Sequence, residues 1–241
     1  MDNVNGIILW RGRSALDGAP IVCVATGITR GSRNRKTGRL VQTWILREDV
    51  SPVEAQNSGR DAAICGQCVH RPWLGGDCYV QVGKAPLAVW RALQAGAYPS
   101  EGDAAWPELH ARMRARGVRA GSYGDPALVP AYVWARANVA TGYTHLWRHA
   151  WARGHQQWLM ASCDGPGDLA DARRDGWRCF MVAADAPDAG TIQCPAVTRG
   201  LECDACRLCG GASRAGAKDI WISPHGARAE SEVRGLLRIM Q

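Results

Sequence analysis

With 241 residues, 46% of them apolar, the chain can bury a sizeable core and is excluded from the disordered class. A net charge of +7 is compatible with an anionic partner and names none. The N-terminal MDNVNGIILWRGRS has no basic region followed by an apolar one, and no segment reaches the ~18 uninterrupted apolar residues of a membrane span, so the expected setting is cytoplasmic with no membrane partner.

Residues 1–48 read as short strands with polar turns, a small antiparallel β region. IVCVAT and LVQTWIL are its clearest strands. Between them Arg30, Arg33, Arg35, Lys36 and Arg39 crowd one loop, with Lys-Thr-Gly turn chemistry at its tip. That loop reads either as a solvated hairpin tip or as a nucleic-acid-binding element contacting phosphates. Residues 49–241 read as an α/β domain carrying two cysteine-rich metal sites, one compact unit with the first part. SPVEAQNSGRDA opens like a helix, with Ser51 as N-cap and Pro52 in the first turn. A cysteine-rich loop then leads into the helical stretch APLAVWRALQAG.

From residue 118 the rhythm changes. GVRAGSYG, TGYTHLW, QWLMASCD, GWRCFMVAAD and KDIWISPHG read as strands, alternating with the helical ALVPAYVWARANVA, DGPGDLADARRDG and ARAESEVRGLLRIM. This alternation predicts an α/β fold with a parallel sheet, partly or distortedly barrel-like. In such architectures reactive groups gather at the carboxyl ends of the strands. Asp125, His145, Asp164 and His225 fall there and are the candidate catalytic residues, with Asp125 or His145 as general acid or base. Each has a plainer reading: Asp125 before Pro126 suits an N-cap, and His225 before Gly226 suits a turn.

Clustered cysteines in a reducing compartment serve as metal ligands or catalytic groups more often than as disulfides. CPAVTRGLECDACRLCGG sets Cys194, Cys203, Cys206 and Cys209 at C-x8-C-x2-C-x2-C. Structural zinc usually takes two well-separated C-x2-C pairs. Three cysteines in one x2 run, with Pro195 after the remote Cys194, look instead like the bacterial ferredoxin pattern. A 4Fe–4S cluster spreads its ligands over four irons and is the favoured occupant, with zinc as the alternative.

Upstream, Cys65, Cys68 and Cys78 form C-x2-C-x9-C with His70 close by. They read either as a Cys3His zinc staple or as a three-cysteine iron–sulfur site whose open iron can take a substrate or cofactor. Spacing alone leaves both open, and the downstream motif tips the reading toward iron–sulfur. Cys23, Cys163 and Cys179 lie in apolar strand-like runs; Cys163 sits at a candidate strand end, while Cys23 and Cys179 read as core. So do most of the eleven tryptophans, among them Trp44, Trp90, Trp134 and Trp177.

NRKTGRLVQTWIL, SPVEAQNSGRDAAICGQCVHR with CYV, GSYGDPALVP, TGYTHLWR, MASCDGPGDLADARRDGWRCF, CPAVTRGLECDACRLCGG and HGAR together resemble a family of phage- and prophage-associated cysteine-rich proteins, gene product 88-like. The resemblance covers most of the chain and implies a mobile-element setting rather than a particular reaction. It departs at PAVTRGLE, which stands in for a more charged spacer.

A weaker similarity is to the radical S-adenosylmethionine enzymes. These set a three-cysteine cluster near the start of a partial βα barrel and, in some members, an auxiliary cluster in a cysteine-rich C-terminal extension. That similarity implies S-adenosylmethionine as a co-substrate. It departs at the first loop, where C-x2-C-x9-C replaces C-x3-C-x2-C. Two expectations result: a phage-associated metal-cluster enzyme acting on a nucleotide, DNA or a related anionic substrate, or a zinc-stapled nucleic-acid-binding or replication-associated protein without catalysis.

Overall fold

Unbroken apolar runs build the first strands. In the computed structural model, which describes residues 4–31, 36–214 and 216–223, β1 (Gly6–Arg13) pairs antiparallel with β2 (Pro20–Thr26), and β2 with β3 (Val41–Arg47). Ile21 to Ala25 of β2 are fully buried, as a strand covered on both faces requires. On its other side β3 pairs parallel with β4 (Val118–Tyr123), so a single strand carries the sheet from antiparallel to parallel pairing.

Four helices span the crossover from β3 to β4. They are α1 (Pro52–Asn57), α2 (Ala62–Cys65), α3 (Ala85–Gln94) and α4 (Trp106–Arg116). As expected, the Ser51 hydroxyl caps α1 by accepting from Glu54 N at 3.2 Å, and Pro52 opens the helix. Sequence reading missed α4, because only Trp106, Leu109 and Met113 of this polar segment are buried. The Trp106 indole donates to Ile8 O at 2.9 Å and ties the helix to β1.

Beyond β4, a 3-10 turn (Pro126–Leu128) and α5 (Ala131–Ala135) lead to β5 (Val139–Thr144). Val139 and Ala140, read from sequence as helical, belong to the strand. Asn138 takes a left-handed φ of 52°, which ends the helical segment at little cost for asparagine. β6 (Met160–Cys163), α6 (Pro166–Arg174) and β7 (Cys179–Val182) follow as anticipated. An unanticipated three-residue β8 (Thr191–Gln193) precedes α7 (Pro195–Thr198), α8 (Cys203–Cys206) and β9 (Asp219–Ile222). The helix expected in ARAESEVRGLLRIM lies outside the described residues.

The nine strands form one mixed, mostly parallel sheet in the order β1-β2-β3-β4-β5-β6-β7-β9-β8, open at β1 and β8. Helix α3 packs on β3, α4 on β1, and α6 on β6 and β7. The main core runs through the sheet from Ile7 to Met181 and takes in Cys23, Cys163, Cys179, Trp134 and Trp177. Trp44 and Trp90 pack against it half-buried. A small satellite core of Met160, Cys194, Cys209, Ile220 and Ile222 lies beneath the C-terminal cysteines. No helix among the described residues is long and apolar enough to cross a membrane.

Candidate functional site

The loop after α2 folds back on itself around one arginine. Arg71 is 4% exposed; its Nε and Nη2 reach Asp61 Oδ1 at 3.1 and 2.5 Å. Its remaining donors go to Gly66 O and Gly59 O, both at 2.8 Å. Around this hub Cys68 N donates to Cys65 O at 3.2 Å and Cys78 N to His70 O at 2.8 Å. Gly76 makes that return possible, since a Cβ there would collide with the backbone of Val69 and His70. Burial pushes the Cys65 thiol well up, and the charges of Asp61, Cys78 and Cys68 add to it, so the three sulfurs sense one another.

The second set is drawn together from three directions. Cys194 N donates to Trp221 O at 2.8 Å, Cys203 N to Lys36 O at 2.9 Å, and Gly142 N to Cys209 O at 3.1 Å. Arg178 clamps the following turn through Leu208 O at 2.7 Å and Gly211 O at 3.1 Å. Burial pushes the Cys209 thiol up to about 12, with Cys194, Cys203 and Cys206 contributing in the same direction. Lys36 sits close enough to feel the charges of Cys194, Cys203 and Cys209.

All seven of these cysteines line one cavity of about 450 Å³. The carboxyl ends of β4, β5 and β6 supply Asp125, His145 and Asp164 to the same space. Among the described residues, neither cysteine set has three sulfurs all within 4.8 Å of one another. A single zinc ion with bonds of about 2.3 Å would hold tetrahedral sulfurs at about 3.8 Å.

The group that is drawn in that tightly is His70, His145 and Asp164, whose ligand atoms all lie within 4.8 Å of one another. His70 Nδ1 is 2.9 Å from Asp77 Oδ1, and its Nε2 is 3.1 Å from Asp164 Oδ1. His145 Nε2 is buried, 3.4 Å from the same Asp164 oxygen and beside the Cys68 sulfur. Asp164 raises the His70 imidazole to about 9, against burial. For His145 burial opposes the charge, and Asp164 with the Cys68 thiol outweighs it, holding the ring near 10. His70 thus faces the two carboxylates rather than closing a set with Cys65, Cys68 and Cys78.

Asp125 is 7% exposed, and its carboxylate accepts from Ala127 N at 2.9 Å, His145 N at 2.8 Å and Leu146 N at 3.3 Å. Burial raises it above the usual carboxylate range. These bonds make it both the N-cap of the following turn and the anchor that positions His145. The left-handed φ of 74° at Gly124 lets the chain turn there.

In the basic loop, Arg30 and Arg39 are exposed while Lys36 lines the cavity. Arg33, Arg35 and His225 lie outside the described residues. Sequence reading missed Arg119, Tyr79 and Tyr143, all on the cavity wall. Arg119 Nη2 donates to Tyr79 Oη at 3.1 Å, while its Nε is buried with no partner. A signal was present: Arg119 stands between the apolar Val118 and Ala120 in a strand, so its side chain points to the opposite face of the sheet from theirs. Comparison with protein-family models, with curated proteins and with solved structures returns no match, so the site is interpreted from its own chemistry.

Proposed function

We propose that the chain is an iron–sulfur enzyme acting on a small anionic substrate, a nucleotide or a related molecule, in the cavity between its two cysteine centres. The observation that carries this reading is the convergence of seven cysteines, from loops more than a hundred residues apart, on one cavity. Two structural clips have no reason to share a concave space with histidines, carboxylates and an arginine, whereas a reaction site does. The run of three cysteines at x2 spacing, with Pro195 after the remote Cys194, also favours a cluster over a single zinc ion.

The winding supports the same reading. β3, β4, β5, β6, β7 and β9 are parallel and adjacent in chain order, as in a partial βα barrel, and the three-cysteine loop follows the first of them. Cys65, Cys68 and Cys78 would hold a cluster by three thiolates and leave one iron without a protein ligand, where it would supply a coordination position, and an electron from an external reductant, to a co-substrate such as S-adenosylmethionine. The resemblance to phage-associated proteins makes a nucleotide or DNA base the natural substrate class.

The remaining roles belong to the chain's own residues. Arg119 offers an unpartnered guanidinium N–H in a half-buried setting, and Lys36 adds a second positive charge within electrostatic range of it. Together they can hold a phosphate or carboxylate. Tyr143 and Phe180, with ring centroids 4.3 Å apart, join Leu201 and Ile222 in an apolar wall that excludes water from the bound molecule. Asp125 fixes the backbone of His145 at the cavity edge.

The deciding experiment is anaerobic purification with metal and sulfide analysis. A brown protein with broad absorbance near ~400 nm and about eight iron and eight sulfide per chain is expected. A colourless protein with two zinc ions would overturn the proposal. A second expectation concerns the anion: Arg119→Met should weaken binding of a nucleoside monophosphate, measured by calorimetry, by roughly 10- to 100-fold, the worth of a hydrogen bond to a charged group. Unchanged affinity would remove Arg119 from the binding site.

A further inference from the structure

The three side chains His70, His145 and Asp164 meet where β5 and β6 end beside the three-cysteine loop, and their arrangement leaves one charge problem unsolved. Both imidazole Nε2 atoms point at a single carboxylate oxygen, at 3.1 and 3.4 Å. His70 has a carboxylate at each end, Asp77 on Nδ1 and Asp164 on Nε2. A neutral ring that donates from Nδ1 to Asp77 turns its Nε2 lone pair onto Asp164, which is repulsive. His145 Nε2 is buried, with the same Asp164 oxygen and the Cys68 sulfur as its neighbours. Protonated rings or one shared cation can settle this contact, and three ligand atoms all within 4.8 Å of one another have the compactness of a cation site.

We infer that His70 Nε2, His145 Nε2 and Asp164 Oδ1 form a mononuclear site for a divalent first-row transition ion, separate from the two cysteine centres. The separations suit it. Ligands about 2.1 Å from an ion stand about 3.0 Å apart at octahedral angles and about 3.4 Å apart at tetrahedral ones. Two imidazoles with one carboxylate form the set that binds such ions on one face and leaves the other face open. The open face here is the cavity, which all three residues line. Asp77 takes the part of the carboxylate that orients a ligating imidazole through its other nitrogen. Asp125 does the same for His145 through the backbone, accepting from its N–H at 2.8 Å. Two imidazoles among the three ligands favour iron, cobalt or zinc over calcium or magnesium, with manganese held through the carboxylate and water. Cys68 adjoins His145, so the ion and the three-cysteine centre face the same substrate.

The inference goes beyond the iron–sulfur reading and stands whatever occupies the cysteines. Its test uses Mn²⁺, an ion that prefers nitrogen and oxygen to thiolate. Anaerobically purified full-length protein, washed with EDTA, is titrated with Mn²⁺ while the signal of the free ion is followed by electron paramagnetic resonance. One saturable site per chain is expected. His145→Ala and Asp164→Asn should each abolish it, and Asp77→Asn, on a largely exposed side chain, should weaken it about 10- to 100-fold. Asp188→Asn, remote from the site, should leave it unchanged. Circular dichroism of each variant confirms the fold, and the cluster iron and sulfide content, measured in parallel, should not move with Mn²⁺ occupancy. The inference is overturned by the absence of saturable binding, by binding that survives in both His145→Ala and Asp164→Asn, or by loss of cluster iron in place of Mn²⁺ in these variants.

Discussion

Cys206→Ser is expected to remove about half of the iron and to loosen the C-terminal third of the chain, lowering Tm by about 10 °C or more. The reason lies in how little else holds that region. α7 and α8 are four residues each, far below the length at which a helix persists by itself. The satellite core beneath them is small, and two of its five buried residues, Cys194 and Cys209, belong to the proposed ligand set. Backbone links to the rest of the fold run through the cysteines: Cys194 N to Trp221 O, Cys203 N to Lys36 O, and Gly142 N to Cys209 O. A centre bound there would serve as the core, and binding energy at such a site is folding energy. A loss of about 4 kcal/mol corresponds to roughly 8–16 °C for a chain of this size. Thermal denaturation, iron analysis and limited proteolysis between residues 190 and 214 are the readouts. A variant that keeps its iron and its melting temperature would show that Cys206 is not a ligand.

Asp61→Asn should destabilise the protein by about 3–5 kcal/mol and empty the three-cysteine centre while sparing the other. Asp61 and Arg71 are 2% and 4% exposed, and the guanidinium also holds Gly59 O and Gly66 O. Removing one charge leaves the other buried and uncompensated, a loss comparable to much of a domain's stability. The same guanidinium sets the path of the loop between Cys65 and Cys68, so the geometry of the thiols should fail with it. Urea denaturation gives the stability change, and iron content gives the occupancy. The double variant Asp61→Leu, Arg71→Met separates the two effects: it should recover much of the stability, because no charge is stranded, without restoring the loop. A single variant within 1 kcal/mol of the parent would show that water reaches the pair.

The parts of the fold legible in the sequence are those set by local pattern. Continuous apolar runs marked β2 and β3, and the alternation after residue 118 marked β4, β6, β7 and β9. Ser51 with Pro52 marked the start of α1. Where the pattern was weak or misleading the reading failed. α4 hides three buried residues in a charged segment, β8 is three residues long, and an asparagine in a left-handed turn stops α5 early.

The sequence by itself pointed to two cysteine groups, because C-x2-C and C-x2-C-x2-C spacing keeps neighbouring thiols close whatever surrounds them. It also marked Asp125, His145 and Asp164, since strand ends in parallel sheets converge. Only the tertiary structure decided that the two cysteine sets share one cavity, that Lys36 of the basic loop turns into it, and that Arg119 stands in its wall with an unpartnered donor. It also decided that His70 meets His145 and Asp164, residues far along the chain. Those facts depend on how the strands wind and on which face of each strand turns inward. Winding and facing are set by the burial of the whole sheet, and no short stretch of residues encodes them.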